Sequence, residues 1–253
     1  MQDVPTIMWG KGEPVVLVHG SGDTDPAFVW SNQRPLGQQY QLLILTRPSY
    51  GQRPLVSQRP SIEEDVQEIL SVLEKNNGAH LVGFSYGGCI ALVAAARQPE
   101  LVRSLTVIEP PAFSIARGNS AVEHKIEQTK LAYEPPQPLS PEEFLVLFMK
   151  PMLPDFPDTI ELSPEDRKGV EAMQAEPAPW KIEIPLDGLA TTSFPKLVVT
   201  SGESPAFEAV ADVLKTRLDA QHVFCPGKGH YIPDTGELFN QILVRFLRSA
   251  SLH

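Results

Sequence analysis

The sequence predicts an α/β fold in which a mostly parallel, doubly wound sheet carries an inserted helical segment. Three observations support this. Continuous apolar runs alternate with helix-period patterns through residue 108, a small-residue turn joins one such run directly to a helix, and the alternation breaks across 111–194 before resuming. The expected organisation is a core from 1–110 and 195–253, with 111–194 inserted as a helical lid.

Val15-Val16-Leu17-Val18 is an uninterrupted apolar run of the kind found in strands buried on both faces of a parallel sheet. It ends in His19-Gly20-Ser21-Gly22, a turn that exposes backbone N–H groups at a strand's carboxyl end. Such groups can bind a developing oxyanion, and Ser21 is the best-placed donor. His19 reads as an organiser of that loop.

Asp25 to Trp30 opens a short helix, and Gln41 to Leu45 is the next buried strand, followed by the turn Thr46 to Gly51. Ser61 is placed to cap an amphipathic helix. That helix has acids in its first turn, buries Ile62, Val66, Ile69, Leu70 and Leu73, and stops at Asn76-Asn77-Gly78.

The chain is organised around the next stretch, Ala79 to Gly88, followed by Cys89 to Arg97. A short apolar run ends in Gly83-Phe84-Ser85-Tyr86-Gly87, and a helix of small residues starts at once. A strand-to-helix turn this tight has no room for side chains two residues either side of Ser85, and it lifts the Ser85 hydroxyl clear of the backbone at a helix N-terminus. That is the pattern of a nucleophile elbow. Ser104 to Ile108 is a further buried strand, so Glu109 falls at its carboxyl end, beside Ser85.

Fourteen of the 25 prolines lie between Pro110 and Pro195, punctuating helical pieces near Ala121–Tyr133, Pro141–Lys150 and Pro164–Gln174. Phe144, Leu145, Leu147, Phe148, Met149 and Met152 form an apolar stripe that either lines a substrate pocket or packs the segment down. Trp180 and Tyr133 carry the same pair of readings, and Phe148 and Trp180 are the candidate substrate contacts.

Lys196 to Ser201 returns to the sheet, Pro205 to Leu218 is a helix, and Gln221 to Cys225 is the last strand. Pro226-Gly227-Lys228-Gly229-His230 and a closing amphipathic helix from Asp234 follow. Of the six histidines, His230 alone both lies beyond a strand's carboxyl end and comes after a glycine-flexed turn. His80 and His222 enter strands, His124 lies in the insertion and His253 is terminal.

With 253 residues, 42% of them hydrophobic, and a net charge of −10, the chain has core enough for a globular α/β unit and no basic patch for a phosphate backbone. Nucleic acid is excluded as a partner. No leader pattern and no stretch of about 18 apolar residues is present, so neither secretion nor a membrane is indicated. Cys89 and Cys225 read as buried thiols in a reducing, cytoplasmic setting. No metal-ligand spacing or dinucleotide motif occurs, and no cofactor is expected. A homo-oligomer is compatible with the sequence, which does not set the oligomeric state.

Taken together, His19-Gly20-Ser21-Gly22, Gly83-Phe84-Ser85-Tyr86-Gly87, the insertion, and Gly227-Lys228-Gly229-His230 resemble the α/β-hydrolase superfamily over nearly the whole chain. The resemblance implies a triad with Ser85 as nucleophile and His230 as base and then acid, the N–H groups of Tyr86 and Ser21 forming the oxyanion hole. The acid departs from the common pattern. Most members carry an aspartate after the strand matching Leu197 to Ser201, where this chain has Gly202-Glu203-Ser204-Pro205. Some relatives place the acid after the earlier strand, where this chain has Glu109, so Glu109 is preferred and Glu203 is the alternative. Serine in the elbow, where dehalogenases and epoxide hydrolases of the superfamily have aspartate, implies acyl transfer on a small neutral or apolar ester, lactone or thioester. Carbon–carbon bond hydrolysis, perhydrolysis, a lyase and a non-catalytic ligand receptor on the same scaffold remain open.

Overall fold

In a computed structural model, residues 4–22 and 24–251 are described. The readings of the extreme N-terminus and of His253 lie outside them.

Seven strands form one sheet: β1 (Thr6–Trp9), β2 (Glu13–Val18), β3 (Tyr40–Leu45), β4 (Ala79–Phe84), β5 (Val102–Ile108), β6 (Lys196–Thr200) and β7 (Gln221–Phe224). Their order is β1-β3-β2-β4-β5-β6-β7, and every pairing is parallel except β1 with β3, where Thr6 lies opposite Leu45. Residues 15–18 are fully buried, as the apolar run requires. β1 was not anticipated. It is a short edge strand with Met8 59% exposed, and its apolar run, Ile7-Met8-Trp9, is only three residues long, shorter than that of β2.

Helices cover both faces. α1 (Pro26–Val29) and α9 (Glu237–Ala250) enclose one cluster around Leu17, Ile44 and Val199; α2 (Glu63–Lys75), α3 (Tyr86–Arg97) and α8 (Pro205–Leu218) enclose the other around Val16, Leu81 and Val107. The start of α2 differs slightly from expectation. Ile62 holds the cap position, and Ser61 Oγ accepts a 3.3 Å bond from Glu63 N–H one residue further on. Likewise α9 begins at Glu237, because Asp234 belongs to a separate 3-10 turn over Ile232–Thr235.

Between β5 and β6 stand α4 (Ser120–Tyr133), α5 (Pro141–Met149), α6 (Pro164–Ala175) and α7 (Leu186–Ala190). The Ser-Pro pairs start two of them: Ser140 and Ser163 cap α5 and α6 with proline at the first helical position, where a missing N–H costs nothing. The middle of this segment has its own apolar cluster around Phe144, Val170 and Met173. Its two ends do not: Phe113, Val122 and Ile126, and later Ile182, Ile184 and Leu189, join the same cluster as α2 and α3. Both cysteines are free and buried.

Candidate active site

Ser85 occupies the turn between β4 and α3 with φ 52° and ψ −126°, a backbone state that costs a non-glycine residue about 1–3 kcal/mol. The turn is held shut by close backbone approaches. A Cβ on Gly83 would lie 2.5 Å from Gly87 O, one on Gly87 2.4 Å from His19 O, and one on Gly20 2.9 Å from Ser85 Cβ. Ser85 N–H donates to Ile108 O at 2.9 Å, tying the turn to the end of β5.

Glu109, also at positive φ (41°), follows β5 directly and is fully buried. The loop after β7 brings His230 between them, with Nε2 2.9 Å from Ser85 Oγ and Nδ1 2.7 Å from Glu109 Oε2. The other carboxylate oxygen, Oε1, accepts from Ser201 N–H at 2.8 Å and from Ser201 Oγ at 2.6 Å. Burial works against the charge on Glu109, but the bond and charge of His230 and the two Ser201 donors outweigh it, holding the carboxyl below its ordinary range. Phe207 stacks on the imidazole at 5.0 Å and Phe84 lies 5.2 Å from it, so the ring has little room to turn. In a neutral imidazole this partner set puts the proton on Nδ1, leaving Nε2 free to accept from Ser85.

Glu203 lies apart from the imidazole nitrogens. Its Oε2 is 3.4 Å from where a Gly229 Cβ would be, and its N–H donates to Ser201 Oγ at 3.3 Å. Tyr86 opens α3, where an N–H has no acceptor within its own helix and the helix dipole favours negative charge. Ser21 follows Gly20, which touches Ser85; the Ser21 hydroxyl is taken up by Glu176, so the group it can offer a ligand is its N–H. His19 is fully buried, with Nδ1 2.9 Å from Gly20 O and Nε2 accepting from Arg47 N–H at 3.2 Å. Burial and the Arg47 charge push its imidazole well below the ordinary histidine range, consistent with an organising residue.

Phe148 and Trp180 both pack on Tyr133, at 6.1 and 5.5 Å between ring centroids, and Phe148 also stacks on Phe144 at 6.2 Å. Two cavities, of about 820 and 730 Å³, lie elsewhere: one beside Thr24, Arg53 and Lys168, the other beside Trp9 and Arg34. Neither is lined by Phe148, Trp180 or Ser85.

The sequence reading missed a set of buried charges beneath the loop at 19–22. Arg47 and Asp65 are fully buried, and Arg59 and Glu176 are nearly so. Arg47 Nε donates to Asp65 at 2.9 Å and Nη2 to Glu176 at 2.5 Å, while Arg59 also pairs with Asp65. An arginine at the end of an apolar run is a usable signal for Arg47. Glu176, in Ala175-Glu176-Pro177-Ala178, has none.

A model of the alpha/beta hydrolase family matches residues 15–242. Among curated proteins, a pimeloyl-[acyl-carrier protein] methyl ester esterase of Aeromonas hydrophila is 32% identical over 108 residues, 42% of this chain and 41% of that protein. A 2-hydroxymuconate semialdehyde hydrolase of a Pseudomonas strain is 34% identical over 123 residues, 45% of this chain and 42% of that protein. The matched stretches thus span less than half the length of these relatives. A thermophilic esterase from Thermogutta terrifontis superposes with a TM-score of 0.66 at 22% identity, covering 98% of this chain and 93% of that one, which is a likeness of fold.

Proposed function

The chain belongs to the alpha/beta hydrolase family, and from that premise we propose that it is a carboxylesterase-like serine hydrolase working through an acyl-enzyme on Ser85. One observation carries the reading: the unbroken path from Ser85 Oγ through His230 to Glu109, at 2.9 and 2.7 Å, with the serine on a strained turn. Ser85 Oγ bonds to the ester carbonyl carbon as its proton passes to His230 Nε2. The N–H groups of Tyr86 and Ser21 receive the oxyanion. The carbon–oxygen bond to the alcohol then breaks while Nε2–H protonates the leaving oxygen. A water, deprotonated by the same nitrogen, attacks the acyl carbon; the bond to Ser85 Oγ then breaks as Nε2–H returns its proton to that oxygen, releasing the acid and restoring the serine. Throughout, Glu109 holds Nδ1–H and stabilises the imidazolium.

The substrate class that fits is a small neutral or apolar ester, lactone or thioester, since a net charge of −10 does nothing to attract anions. We read 111–194 as the lid over that substrate, with the aromatic cluster at Tyr133 as its hinge or packing core. Carbon–carbon bond hydrolysis is the second reading, favoured by the similarity to the semialdehyde hydrolase.

Fluorophosphonate labelling of the native protein and of Ser85→Ala tests the nucleophile. Labelling that disappears in Ser85→Ala is expected; a folded native protein that does not label would refute the acyl-enzyme. Turnover of nitrophenyl esters of increasing chain length, set against a vinylogous diketone, then separates ester from carbon–carbon cleavage.

A further inference from the structure

Three consecutive residues of the loop beside Ser85 are held by one buried group of side chains. Arg47 Nη1 donates to Gly20 O at 2.7 Å, Ser21 Oγ donates to Glu176 Oε2, and Gly22 N–H donates to Tyr50 Oη at 3.4 Å. Tyr50 Oη in turn donates to Glu176 Oε1 at 3.0 Å, and Arg47 reaches the same oxygen. Every contact therefore ends at Glu176 or at the arginine paired with it.

The same group touches the other arm of the oxyanion hole. The Arg47 guanidinium lies 5.1 Å from the Tyr86 ring, and Tyr86 Oη donates to Pro177 O, next to Glu176, at 3.0 Å. Glu176 stands at the end of α6, which presses on the loop so closely that a Cβ on Gly169 would lie 2.2 Å from Gly22 O.

Three donors face the Glu176 carboxylate, which suits its ionised form, although burial raises its pKa above the ordinary carboxylate range against the pull of Arg47 and Ser21. Two arginines balance two carboxylates. Buried ion groups of this kind are often no more stabilising than apolar residues of the same size, so stability alone does not account for them.

We propose that Glu176 is a positioning residue for the oxyanion hole: delivered by the segment between β5 and β6, it sets the Gly20–Gly22 loop through Ser21 and Arg47. Docking of that segment thereby completes the site. The proposal rests on the serine hydrolase reading.

The test compares native protein, Ser85→Ala, Glu176→Gln, Ser21→Ala, the double variant, and Arg167→Gln, which removes only an ion pair between α6 and α5. The readouts are kcat and KM on nitrophenyl butyrate and inhibition by an aryl trifluoromethyl ketone, whose serine adduct places an oxyanion in the hole. Folding is followed by circular dichroism and thermal melting. Glu176→Gln and Ser21→Ala should each lower kcat by about 10- to 100-fold, since losing an oxyanion donor outright costs about 100- to 1,000-fold. Ketone affinity should fall by the same factor, with KM changed less than about threefold and Arg167→Gln like the native protein. The double variant should be no worse than Glu176→Gln, because both act along one path. If Glu176→Gln does not fold, Ser21→Ala carries the test, since it leaves the Arg47–Glu176 pair intact. Native kcat and ketone affinity in a folded Ser21→Ala, or a kcat loss with ketone affinity unchanged, would overturn the proposal. A native protein unlabelled by fluorophosphonate would instead remove the serine reading, and the proposal with it.

Discussion

Glu109→Gln is the substitution on which the acid assignment stands. Both carboxylate oxygens accept: Oε2 from His230 Nδ1 at 2.7 Å, Oε1 from Ser201 N–H at 2.8 Å and Ser201 Oγ at 2.6 Å. The isosteric amide has one oxygen for two donor sides. If that oxygen faces the fixed Ser201 N–H, the amide NH₂ faces Nδ1 and drives the imidazole to the Nε2–H tautomer. Ser85 Oγ, 2.9 Å away, then has no base. If the oxygen faces His230 instead, NH₂ meets the Ser201 N–H and leaves a buried donor unpaired, at about 1–3 kcal/mol. The first arrangement is the cheaper one, because the Ser201 hydroxyl could rotate to accept from an NH₂ but the Ser201 N–H can only donate. A wrong tautomer in a relay of this kind costs about 10⁴ in kcat, or about 5.5 kcal/mol of transition-state stabilisation.

The assay is kcat/KM on a nitrophenyl ester, with thermal melting across pH to show that the variant folds. The folded pKa of Glu109 is depressed, so the stability it adds is fully present above the unfolded value of about 4.3 and is lost as pH falls through the folded value. The gap in Tm between native protein and Glu109→Gln should therefore be full at pH 7 and narrow below about pH 4. Activity of Glu109→Gln within tenfold of native would refute the reasoning. So would an equal loss in Glu203→Gln, which is expected to change kcat less than about threefold, as for a substitution away from the reacting groups.

Three further outcomes follow from the geometry. Ser85→Gly relieves the strain at φ 52° and should raise stability by about 1 kcal/mol, about 2–4 °C in Tm, while abolishing fluorophosphonate labelling. Gly169→Ala must part α6 from Gly22 O and should lower Tm and cut kcat more than it raises KM, read by melting and steady-state kinetics. Arg47→Met leaves Asp65 and Glu176 with Arg59 as their remaining buried cation and should cost about 3–5 kcal/mol of unfolding free energy in urea titration.

What could be read in advance divides along a physical line. The central strands, the turn at Ser85, the break after Ile108 and the helix starts at Pro141 and Pro164 are written in neighbouring residues, because burial on both faces, a tight turn and a helix start each demand local composition. Glu109 and His230 were legible for a related reason: in a parallel sheet a strand's carboxyl end is a known place, and each residue follows one. β1 escaped because an edge strand is half exposed and its apolar run, Ile7 to Trp9, is too short to mark a buried strand. The stripe around Phe148 showed that something apolar is covered there, but not that the cover is Tyr133 and Phe144, since a stripe has a face and no address.

Glu176 is the extreme case. Its partners Ser21 and Arg47 lie 155 and 129 positions away, and nothing between Gln174 and Pro179 marks it out. A lone glutamate among prolines and alanines reads as a solvated loop residue until the chain brings it back to the core. The proposed reacting groups stand at strand ends, where topology alone assigns them a place, whereas the groups that hold the Gly20–Gly22 loop, Arg47, Tyr50 and Glu176, are gathered from two distant turns and meet only in the folded protein. Substitutions in such a network would pass as neutral in any reading of local pattern, yet they should lower both kcat and stability.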